Sequence, residues 1–109
     1  MINDEEVEKA ASWIRDNADK IAKARSEANY LSEYRKSKKA ALVLTQTGTI
    51  QERESYAYNH PEYLEVLDGL REAEEEYERL RWLMVAAREK IEIFRTQSAN
   101  NRIIDNSHR

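Results

Sequence analysis

Cysteine is absent from this chain, proline occurs once and glycine twice in 109 residues. The first absence excludes disulfides and thiol chemistry, and fits an intracellular protein. The other two leave few points where a helix must stop. Histidine is nearly missing too: His60 and His108 are the only two, one in a turn signal and one in the tail. Neither has a spaced set of carboxylates around it, so no metal site is expected. No H-E-x-x-H, Gly-rich phosphate loop or nucleophile–base pairing occurs. The sequence therefore supports no catalytic residue, metal or cofactor. Residues 1–20 lack the apolar run of a secretion signal, and no run approaches the roughly 18–20 apolar residues of a membrane span. A soluble, cytoplasmic protein with no membrane partner is the expectation.

What is present is charge and helix-forming side chains. Charged residues make up 36% and apolar ones 40%, a balance suited to long exposed helices around a thin core. A thin core favours self-association as a way to bury more apolar surface, with a dimer favoured. The net charge of −3 argues against general nucleic-acid binding while leaving room for a local basic patch.

Hydrophobic spacing predicts an all-α hairpin: two long antiparallel helices in a coiled coil, a short helix in the connection, and dimerisation into a bundle. Helix one is expected over about residues 4–44. Asn3 or Asp4 caps it, and Val7, Ala10, Ile14, Asn17, Ile21, Ala24, Ala28 and Leu31 form a stripe at alternating steps of three and four. The stripe falters at Arg35 and Lys38, then resumes with Ala41 and Leu42. Gly48 supplies a break that tolerates positive φ. Thr49-Ile50-Gln51-Glu52 reads as a capping box for a short helix over about 50–58. Pro61 suits the first turn of the next helix, over about 61–98. There Tyr63, Val66, Leu70, Ala73, Tyr77, Leu80, Met84, Ala87, Ile91 and Phe94 hold heptad spacing. A frayed tail is expected over 99–109. Both long helices start acidic and end basic, so an antiparallel fold sets unlike charges together and a parallel one sets like against like.

Several features point toward partners. Trp13 lies just outside the helix-one stripe and Trp82 off the helix-three stripe, which suggests a second interface; Tyr34 shares the seven-residue phase of Trp13. Tyr56, Tyr58, His60 and Tyr63 cluster at the connection. They offer a partner-gripping or base-stacking patch, or simply cover the end of the hairpin. Lys36, Lys38 and Lys39 lie in the densest basic run, residues 35–39. They suit phosphate contacts, or else a solvated helix end whose cations favour the C-terminal dipole. Arg81, Arg88, Arg95 and Arg102 recur every seven residues along one edge, as a phosphate-tracking strip or as flanks pairing with another helix's carboxylates. The acidic run Glu72, Glu74, Glu75, Glu76 and Glu78 reads as a solvated face with local pairs such as Glu75–Arg79 and Glu78–Arg81. Carboxylates that exposed make poor catalysts, so a metal-dependent helical hydrolase draws support only from the abundance of Glu.

Four segments carry a resemblance: Trp-Ile-Arg-Asp-Asn-Ala (13–18), Tyr-Arg-Lys-Ser-Lys-Lys-Ala (34–40), Glu-Arg-Glu-Ser-Tyr-Ala-Tyr-Asn-His-Pro-Glu-Tyr (52–63) and Leu-Arg-Trp-Leu-Met-Val-Ala-Ala-Arg (80–88). The chain resembles small helical proteins of unassigned role from temperate bacteriophages and prophages, over most of residues 10–102. That resemblance implies an accessory protein in a bacterial cytoplasm, encoded beside phage DNA-recombination genes, with another phage or host protein as partner. It supplies no catalytic residues. The expectation is a non-enzymatic helical adaptor in recombination or replication. The alternative is a direct DNA-binding factor using Lys36, Lys38, Lys39, Arg88, Arg95 and Arg102.

Overall fold

The computed structural model describes residues 1–107. The chain is all-α: α1 spans Asp4–Leu44, α2 Ile50–Asn59 and α3 Pro61–Ser107. Their packing is consistent with the expected hairpin. Each helix start has a sequence reason. Asn3 Oδ1 accepts the Glu6 N–H at 2.9 Å, so Asn3 rather than Asp4 caps α1, and Asp4, Glu5 and Glu6 fill the positive first turn. Thr49 Oγ1 accepts the Glu52 N–H at 3.1 Å, the first half of the capping box. His60 serves two helices at once. Its N–H closes the end of α2 on the Ala57 carbonyl, and its Nδ1 accepts the Glu62 N–H at 3.1 Å to open α3. Its extended backbone is what a following proline requires.

The end of α1 tightens into a turn, with Thr45 N–H and Oγ1–H both donating to the Leu42 carbonyl. Gly48 then takes φ +117°, the left-handed side that a side chain resists.

Compactness divides the chain into two units: Met1–Ile21 with Arg79–Arg109 (the terminal unit), and Ala22–Glu78 (the middle unit). In the middle unit, Leu42, Ala57 and Tyr63 form a buried cluster with Val43 and Leu67 against it. Lys38 meets Glu62 at 2.7 Å, and Leu31 lies against Gly69. Seven residues back along α1 is seven forward along α3, so the two helices run antiparallel there. In the terminal unit Ala10, Leu80 and Ala87 are buried, and the Ile2 N–H donates to Gln97 Oε1 at 3.3 Å.

Three details differ from the sequence reading. The α1 stripe does not falter at Arg35 and Lys38. Both are half-buried, and the spacing runs on unbroken to Leu42, leaving Ala41 exposed. Lys38 holds a stripe position because its apolar stem lies along the helix while its ammonium reaches Glu62. The basic run is also not at a helix end. No basic residue lies in the last turn of α1, so the C-terminal dipole does not account for it. Finally, α3 continues past Ser98 to Ser107, because residues 99–107 hold no Gly or Pro to stop it. His108 and Arg109 lie outside the described residues.

Candidate functional site

Two open grooves, one in each unit, take in Trp13, Lys36, Lys39 and Tyr58 among the side chains that the sequence singled out, while Tyr34, Tyr56, Trp82, Lys38, Arg88, Arg95 and Arg102 lie outside them. In the terminal unit a groove of about 300 Å³ is lined by Ala10, Ala86 and Ala87. Trp13 and Leu83 wall it, and Glu6, Lys9 and Lys90 supply its charges. The alanines are what create it: two helices with methyl side chains facing each other leave a hollow that larger residues would fill. Trp13 is half-buried here rather than projecting, and its carbonyl accepts the Asn17 Nδ2–H at 2.8 Å. That bond also explains how a polar Asn17 sits in the apolar stripe. Trp82 is 59% exposed, with the Arg81 guanidinium 4.8 Å from its ring centre. Leu83 and Ile93 remain 44% and 46% exposed on the same helix. Leu83, Ala86, Lys90 and Ile93 follow steps of three, four and three. This second seam beside the core stripe was visible in the spacing, but the strength of the first stripe masked it.

In the middle unit a larger groove, about 590 Å³, is lined by Arg35, Lys36, Lys39 and Ala40 of α1 on one side. Val43 and Leu44 continue that wall, and Glu54, Tyr58 and Tyr63 complete the lining. The Lys39 ammonium donates to the Tyr58 hydroxyl at 2.6 Å and lies 4.1 Å from the ring centre. That hydrogen bond holds the Lys39 pKa above its ordinary value of 10.5, against the opposing effect of partial desolvation. Tyr58 in turn meets the buried Tyr63 edge-on at 5.5 Å. Tyr56 contacts His60 instead, at 5.4 Å, and is 40% exposed. Tyr34 is stacked on Tyr30 at 5.8 Å. Trp13 and Tyr34, which share a heptad phase, thus belong to different units and make separate local contacts.

Of the cations proposed for nucleic acid, Lys36 and Lys39 share the middle groove, and several have local partners. Lys36 is 3.3 Å from Glu33, Lys38 is 2.7 Å from Glu62, and Lys39 is engaged with Tyr58. Arg88, Arg95 and Arg102 are exposed on α3, and Arg95 pairs with Glu92 at 3.0 Å. Glu62 is held below the ordinary carboxylate value by the hydrogen bond and charge of Lys38, and Lys38 is correspondingly raised. Among the described residues no group of three His, Asp or Glu side chains is placed to hold a metal ion. No helix among them is long and apolar enough to cross a membrane. Val43, Leu44 and Glu54 joined the middle groove without being marked as site residues in the sequence, and Arg35 was marked only as part of the basic run. Their signal is weak, because only the turn at residues 45–49 brings α2 alongside them. No family model, no curated protein and no solved structure matches the chain.

Proposed function

We propose that this protein is a non-enzymatic helical interaction module that self-associates as a dimer and holds another protein. One observation carries the reading. The terminal unit leaves Trp82, Leu83 and Ile93 uncovered along one helix, with a groove lined by alanines and Trp13 in the same unit. Fully burying an aromatic or large aliphatic side chain stabilises by roughly 1.5–3 kcal/mol, and exposed clusters of them mark contact surfaces. The rim carries Glu6 together with Lys9 and Lys90, both signs of charge, which suits a two-fold contact of the face with a copy of itself. The sequence resemblance is what supports extending this proposal to phage DNA recombination or replication in the cytoplasm of a bacterial host.

The test is sedimentation velocity of the wild type and Trp82→Glu. Because Trp82 is already exposed, the substitution leaves helix content unchanged and should convert a dimer to a monomer. A wild type that stays monomeric at tens of micromolar, with Trp13 and Trp82 emission unchanged by dilution, overturns the self-association.

A second reading, direct DNA binding, draws on the seven-residue recurrence of exposed Arg88, Arg95 and Arg102. Fluorescence anisotropy with labelled single- and double-stranded DNA across a salt series discriminates it. Phosphate contacts predict saturable binding that weakens steeply with salt and falls when these arginines are reversed in charge. No binding at low salt leaves the protein-interaction reading in front.

A further inference from the structure

We propose that the groove of the middle unit binds an acidic peptide segment carrying one large apolar side chain. The proposal rests on the reading of this chain as a protein-interaction module and names the chemistry of what one of its surfaces takes.

Charge is the first argument. Arg35, Lys36 and Lys39 face the groove with Glu54 as its one acidic lining residue, although the chain as a whole carries −3. Glu33 offsets part of Lys36 from outside the lining. The groove is thus a local reversal of the protein's sign, and it selects an occupant of negative charge.

Apolar surface is the second. Leu44 is 81% exposed at the end of α1, next to half-buried Val43 and one turn from Ala40. At about 590 Å³ the groove lies within the range that holds a drug-sized ligand, room for the anchor side chain of a peptide and its neighbours. An occupant that satisfied only the cations would leave Leu44 and the open side of Val43 in water. An acidic segment with a Leu, Phe or Trp anchor satisfies both.

Tyr58 decides between a peptide and a nucleic-acid strand. A base needs an open aromatic face to stack upon. Here the Lys39 ammonium lies over the ring and Tyr63 meets it edge-on, so Tyr58, although 45% exposed, already has one face occupied. A base would have to compete with Lys39 for the Tyr58 ring, whereas peptide carboxylates meet the same cations without needing a stacking platform.

The experiment pans a random octapeptide library on beads with the fluorescently labelled full chain at low salt. Enriched sequences should combine two or more Asp or Glu with one Leu, Phe or Trp. The best peptide, resynthesised, should lose about tenfold or more in affinity to Lys36→Glu and to Leu44→Asp. Both residues are exposed, and unchanged circular dichroism confirms that each variant stays folded. Replacing the apolar residue of the peptide by Ala should cost a similar factor. The proposal is overturned by an absence of enrichment, by neutral or basic winners, or by binding indifferent to both substitutions. It is equally overturned if the two variants weaken an oligothymidylate and not the peptide. Sedimentation of the same variants is read alongside, and the proposal requires that neither changes self-association. Loss of peptide binding with the dimer intact therefore separates this groove from the Trp82 face.

Discussion

His60 shows how much one side chain can do where two helices meet. Its Nδ1 accepts the Glu62 N–H while its own N–H closes α2. Truncation to Ala removes the first of these and keeps the second. His60→Ala should cost about 1 kcal/mol in urea unfolding, and His60→Asn or His60→Ser, which restore an acceptor, should recover most of it. The two glycines predict opposite outcomes. A Cβ on Gly69 would meet Leu31 Cδ1 at 3.8 Å, an ordinary contact, so Gly69→Ala should stabilise by about 0.5–1 kcal/mol through helix propensity alone. At Gly48, φ is +117° and a Cβ would lie 2.5 Å from Glu52 Oε2. Gly48→Ala should destabilise by about 1 kcal/mol or more, read in the same denaturation series. The Gly48 break and the Thr49 cap were legible beforehand because turn and cap chemistry is local. The double duty of His60 was not, since a histidine before a proline does not announce which backbone N–H its ring will meet.

At the level of the helices, register is the finer question. Leu42 is buried and Ala41 exposed, and both were candidates for the stripe. Leu42→Ala should cost about 2–5 kcal/mol, whereas Ala41→Lys should stay within about 0.5 kcal/mol. Similar losses for the two in thermal or chemical unfolding would contradict the register. The contact of α1 with the start of α3 also carries a pH signature. Glu62 is lowered, so its contribution is present above the ordinary value of 4.5 and is lost as pH falls through the lower folded value. Lys38 is raised, so its contribution is full below 10.5 and is lost as pH rises through the higher folded value. The pair is at full strength between those limits. Glu62→Gln should lower the melting temperature slightly near neutrality, and the difference from wild type should vanish as pH falls well below 4.5. High salt should shrink the same difference, because Lys38 and Glu62 keep 25% and 56% of their side-chain surface in water.

For the molecule as a whole, a sparse core and a surplus of exposed apolar surface point the same way. Among the described residues seven apolar side chains are buried, three of them in α1, one in α2 and three in α3, and four of the seven are alanines. A chain so thinly packed leaves aromatic and aliphatic surface exposed, which is what the proposed interaction role draws on. The sequence by itself determined the all-α class, the helix-forming stripes and the caps. These follow from heptad spacing and short-range hydrogen bonding, which act over a few residues. Only the tertiary structure decided which charged side chains share a groove, that Lys38 stays in the stripe, and that Trp13 turns inward while Trp82 does not. Those outcomes depend on which residues face each other across two helices, and periodicity along one helix carries no information about what stands opposite.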